Sequence, residues 1–75
     1  MNAKEWLADF ASRLGIDPPT AAEFSTLLDL AAEAAHASER VAAPVACWVT
    51  AKAGVSPERA LEIAREIDAG ADGDG

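Results

Sequence analysis

HASERVAAPVACWVTAKAG, residues 36–54, falls into two unlike halves. His36 to Arg40 is polar and holds the chain's only histidine. Val41 to Gly54 carries a single charge, Lys52. Pro44 suits the first turn of a helix, because its φ is already helical and its missing N–H would lack an intrahelical partner there. Gly54 takes the left-handed conformation cheaply and so closes the helix. Val41, Val45, Trp48 and Val49 share one side at i, i+4, i+7, i+8 spacing. Ala43, Ala46, Cys47, Thr50 and Ala53 cover most of the rest with small side chains. A helix without a charged face is usually buried on several sides. This segment is therefore expected to be the central helix, with Trp48 as its largest anchor and the indole N–H hydrogen-bonded.

Outward from that stretch, three further helices are legible. Toward the N-terminus, Asn2 caps the first, with Glu5 as capping-box partner. Trp6, Leu7, Phe10 and Leu14 make its apolar stripe, and Gly15 stops it, with Ile16 free to pack back. Asp17-Pro18-Pro19-Thr20 breaks the chain and restarts it. Either Asp17 caps with Pro18 at the first helical position, or Thr20 caps with Glu23. The second helix runs to about Ala37 and is the clearest amphipathic segment. Phe24, Leu27, Leu28, Ala31, Ala34, Ala35 and Ser38 cluster on one face; Asp29, Glu33 and His36 lie opposite. Beyond Gly54, Val55 can pack back, Ser56 caps and Pro57 opens a fourth helix. Its inner face is Ala60, Leu61, Ile63, Ala64 and Ile67, with Glu62 able to pair with Arg59 or Arg65. From Ala69 the chain is acidic and glycine-rich with little to bury.

The expected fold is thus all-α: a compact bundle of four short helices over residues 1–68, with a disordered tail at 69–75. Seventy-five residues make one domain, and a small one. Its hydrophobic content is rich in alanine, which favours helix but buries little area per residue. Association with a protein partner, or with further copies of the chain, fits such a core.

Composition narrows the function. Six Lys and Arg against thirteen Asp and Glu leave a net charge of −7, which speaks against a nucleic-acid surface and against anionic membranes. One cysteine, Cys47, makes neither an internal disulfide nor a cysteine-rich zinc site. On its apolar helix it reads as a small core residue. The polar N-terminus is unlike a signal peptide, and no apolar run would span a bilayer. The expected location is the cytoplasm.

No catalytic, cofactor or metal site is expected. Glu33-x-x-His36 has the spacing used by di-iron bundles, but both residues point away from the Leu27/Leu28 face, and further carboxylates would be needed. The serines have neither a nucleophile elbow nor a second histidine, and the glycines stand at helix ends, not in a phosphate loop. Trp6 and Trp48 read as core residues and not as stacking platforms. What remains is a candidate contact surface at the turn: His36, Glu39 and Arg40.

Glu5-Trp6-Leu7, Leu27 to Ala31, and Ala35-His36, Glu39-Arg40 and Ala42-Ala43-Pro44 together resemble a small actinobacterial helical domain family. That family is of unknown function and is found alone or appended to molybdenum cofactor guanylyltransferase. The resemblance covers most of residues 5–54, with Val41 where proline commonly follows Glu-Arg. It implies a non-enzymatic accessory or interaction module linked to molybdenum cofactor biosynthesis, its partner that transferase or a molybdoenzyme. Two other readings compete. An acyl carrier protein is similarly short, acidic and four-helical, and Leu14-Gly15-Ile16-Asp17 resembles the lead-in to its attachment site. Pro18 stands, however, where the phosphopantetheine serine belongs, and Ser25 lies in the wrong context. A helix-turn-helix DNA binder would have to offer the backbone phosphates a recognition helix with only Lys52.

Overall fold

The computed structural model describes the backbone of residues 1–73 and the side chains of 1–70. The chain folds into four α-helices: α1 Ala3–Leu14, α2 Ala21–Ala37, α3 Ala42–Ala53 and α4 Pro57–Gly73. The all-α fold and the order of helices agree with the sequence reading. α4 is helical to Gly73; of the tail expected at 69–75, residues 74 and 75 lie outside the described part.

Local chemistry explains where each helix begins and ends. Asn2 and Glu5 form a reciprocal capping box: the Glu5 N–H donates to Asn2 Oδ1 at 2.8 Å, and the Asn2 N–H donates to Glu5 Oε1 at 3.3 Å. Gly15 ends α1 at φ 78°, a conformation that costs glycine nothing sterically, and its N–H and that of Ile16 close back on Ala11. At the second start Thr20 is the cap, not Asp17. The Glu23 N–H donates to Thr20 Oγ1 at 3.1 Å and Glu23 Oε1 accepts from the Thr20 N–H at 2.8 Å. Thr20→Ala should therefore lower stability by about 1 kcal/mol in a urea melt, whereas Asp17→Ala should stay within about 0.5 kcal/mol. At the C-terminus of α2 the Ser38 hydroxyl donates to the Ala34 carbonyl at 2.8 Å. α3 has no side-chain cap; the N–H groups of Ala42 and Ala43 bond to the carbonyls of Glu39 and Arg40 instead. Gly54, at φ 75°, ends it as expected. Ser56 caps α4 by accepting from the Arg59 N–H at 3.2 Å.

The packing corrects the sequence reading. The central helix is α2, which lies against both α3 and α4. Its Leu30, only 3% exposed, meets Ala60 and Leu61 of α4 in the core, with Leu27 and Ala64 against them. Leu30 lay outside the apolar face drawn from the sequence, while Leu28, inside it, is exposed. α2 has two neighbours, so its covered arc is turned toward Leu27, Leu30 and Ala34, away from the side where the largest apolar side chains of the sequence reading would place it.

α3 is not the buried helix, and Trp48 is no core anchor: it is 64% exposed, and Val41, Val45 and Val49 are exposed beside it. The covered stripe of α3 is Ala43, Ala46, Cys47 and Thr50. Small side chains let two helix backbones approach closely, and that stripe is the one α2 accepts. The buried Thr50 hydroxyl donates to its own helix at the Ala46 carbonyl, 2.8 Å away, so no polar group is stranded. On α4, Ala60, Leu61 and Ala64 face inward as expected, but Ile63 and Ile67 are exposed.

α1 makes no extensive packing with any other helix. It lies beside the start of α2, where Leu7 and Ala8 with Pro18, Pro19 and Phe24 line a cavity of about 250 Å³. The Lys4 ammonium sits 5.8 Å from the centre of the Phe24 ring. Ala11 is its one buried residue. Trp6 and Phe10 stack on each other, ring centres 4.9 Å apart, on an exposed face. Trp6, like Trp48, is therefore a surface residue. The molecule measures 46 × 23 × 19 Å, and its long dimension exceeds the roughly 25 Å of a 17-residue helix.

Candidate contact surface

Between α3 and α4 lies an open groove of about 440 Å³. Ala46, Thr50, Ala60 and Ala64 make its floor, because they are the more covered residues of its lining. Val45 and Val49 on one side, Ile63 and Ile67 on the other, make its walls. Among the described residues Thr50 is the only polar one lining it, and its hydroxyl is already spent within α3. No titratable side chain among the described residues lines the groove. It can exclude water and bury apolar surface, but it offers no acid, base or nucleophile. The sequence reading assigned Val45, Val49, Ile63 and Ile67 to the core. The signal that could have placed them here is the length of α3's apolar circumference: one neighbouring helix cannot cover it.

Beside the groove, next to Ala46, Ala64 and Ile67, Glu33 is half-buried and turned toward Asp68. This corrects its assignment to the face opposite the core. A second cavity, of about 340 Å³, opens there between Leu30, Glu33, Ala34, Ala46, Ile67 and Asp68. The Glu33 carboxyl is raised above its ordinary value of 4.5. The main cause is a hydrogen bond to Asp68 that the protonated acid can donate; partial burial and the like charge of Asp68 add to it, while Arg65 and His36 oppose it. A raised folded-state value means that this contact contributes stability below about 4.5 and loses it as pH rises through the folded value. Glu33→Gln keeps a donor for Asp68 and removes the repulsion. Its thermal midpoint should exceed that of the parent at neutral pH, and the two should converge in acid, as followed by circular dichroism.

His36, Glu39 and Arg40 are all exposed at the α2–α3 turn. No hydrogen bond or ion pair among the described residues joins the three. The backbone carbonyls of Glu39 and Arg40 build the turn, so their side chains are left facing solvent. Ion pairs elsewhere are exposed as well: Arg13–Asp9 at 3.2 Å, and Arg59 shared between Glu62 at 3.8 Å and Glu66 at 3.5 Å. Glu62 thus takes Arg59 and not Arg65. Such pairs contribute little each. Cys47 is half-buried and its thiol is free.

Among the described residues no three His, Cys, Asp or Glu side chains are grouped to hold a metal ion, and no helix is long and apolar enough to cross a membrane. No curated protein and no solved structure matches the chain. A family described as a domain of unknown function, DUF6457, matches residues 1–72, and the chain belongs to that family.

Proposed function

We propose that the chain is a non-enzymatic interaction module that receives an apolar helix in the α3–α4 groove. The observation that carries this reading is the groove itself: apolar on both walls, open along its length, and free of titratable side chains. Helix-in-groove recognition uses such a surface, with anchors spaced i, i+3, i+4, i+7 on the incoming helix. An active site would need groups that can move protons or electrons, and this lining has none to offer.

The polar turn His36–Glu39–Arg40 is a second contact surface, separate from the groove. The partner proposed for it is molybdenum cofactor guanylyltransferase or a molybdoenzyme. That identity is supported by the resemblance carried by Glu5–Leu7, Leu27–Ala31 and Ala35–Pro44. Calorimetric titration of the purified protein against the transferase tests it. The expected result is saturable binding that the triple variant His36→Ala, Glu39→Ala, Arg40→Ala weakens by tenfold or more. The absence of binding to the transferase and to molybdoenzymes alike would remove the accessory role and leave the groove reading standing alone.

A further inference from the structure

The chain has two unpartnered apolar surfaces of complementary form. One is the α3–α4 groove. The other is the α1 stripe of Trp6, Phe10 and Leu14, which is convex, helical and exposed. α2 already packs against both α3 and α4, so a helix laid in the groove would complete a four-helix bundle. The chain contains that helix but holds it elsewhere.

We infer that the groove is filled by α1 of a second copy, in a reciprocal two-fold dimer; this rests on the reading of the groove as a helix-receiving surface. Three observations carry it. Trp6, Phe10 and Leu14 share one broad face of α1, and Trp6 with Phe10 repeats the i, i+4 step by which an incoming helix presents its anchors. Area supports it next. The exposed fractions of Trp6, Phe10 and Leu14, with those of Val45, Val49, Ile63 and Ile67, amount to nearly four whole large side chains. If the contact covered all of it, that would be at most on the order of 650 Å² per contact and about 1,300 Å² for the reciprocal pair. Stable specific interfaces begin near 1,200 Å². Last, the connection from Gly15 to Thr20 favours a partner over the chain's own α1. It contains Pro18-Pro19, whose fixed φ angles stiffen it, and it ends in the Thr20 cap that ties it to α2. A contact in which each copy lends the other its α1 closes on itself under two-fold symmetry and does not propagate. Each copy carries a charge of −7, so added salt should strengthen the dimer by screening the repulsion.

Light scattering on the full chain after size exclusion tests this. The expected mass is twice the 7.7 kDa of one chain, with the dimer fraction rising with salt. Trp6→Asp with Phe10→Asp should give a monomer that keeps its helical circular dichroism, because α1 lies outside the Leu30 core. Val49→Asp with Ile67→Asp should give a monomer too. Mixing the two double variants should give a heterodimer that forms only at higher concentration than the parent dimer, because one intact α1 can still enter one intact groove while the second contact is lost. A dimer that survives both double variants would overturn the inference, and so would a monomeric parent. In the monomeric case, Trp6 fluorescence in a Trp48→Phe background separates the causes. Blue-shifted emission that Val49→Asp abolishes would mean that the chain's own α1 enters the groove, so the reading of the groove would survive. Solvent-exposed emission in both would mean that the groove receives no α1 at all; the inference would then fall, and the groove would be left to a helix from a different protein.

Discussion

Leu30→Ala is expected to destabilise the protein by about 2–5 kcal/mol, the cost of deleting buried methylene and methyl groups and leaving a cavity. A chain of this size has total stability on the order of 4–11 kcal/mol, so the loss would take a large share of it. Leu30 and Leu61 are the two large side chains of a core whose other buried member is Ala60. Leu30 joins α2 to α4. Leu28→Ala, one turn-face away on the same helix and 58% exposed, should cost about 0.5 kcal/mol or less. Urea melts followed by helical circular dichroism would compare them. A larger loss at Leu28 than at Leu30 would show that α2 buries the face centred on Leu28 and not the one centred on Leu30.

Ala60→Leu is expected to cost about 1–3 kcal/mol, although it adds apolar area and suits a helix. Ala60 is buried against Leu30 at the α2–α4 crossing. A branched side chain there would force the helices apart or push Leu30 from its rotamer. The same substitution also narrows the floor of the α3–α4 groove. The double variant Ala60→Leu, Leu30→Ala should recover part of the loss, since the added volume can occupy the cavity. Residues in contact couple by about 0.5–3 kcal/mol in such cycles. A strictly additive double variant would mean that the two side chains do not meet.

Both outcomes bear on how much of this protein its sequence discloses. Asn2 with Glu5, Gly15, Gly54 and Ser56 with Pro57 mark helix ends through bonds made within a few residues, and all of them act as the sequence suggests. Thr20 and Asp17 were equal candidates on sequence, and the bonds to Glu23 settle the cap at Thr20. The exposed His36, Glu39 and Arg40 were legible as a polar turn. The groove was not, because Val45, Val49, Ile63 and Ile67 look like core residues in any helical wheel.

The number of helices, their order and most of their boundaries are thus properties of the sequence alone, because capping, glycine stops and proline starts are local interactions. Which apolar face is buried is a property of the tertiary structure. α3 is apolar nearly all round, and periodicity cannot rank its sides. The choice falls on the small stripe Ala43, Ala46, Cys47 and Thr50, leaving Trp48 outside. α2, by contrast, buries Leu30 instead of Leu28 because two helices share its surface. A wheel drawn for one helix contains no information about its neighbours; only their packing decides which hydrophobic residues become core and which remain a surface for something else.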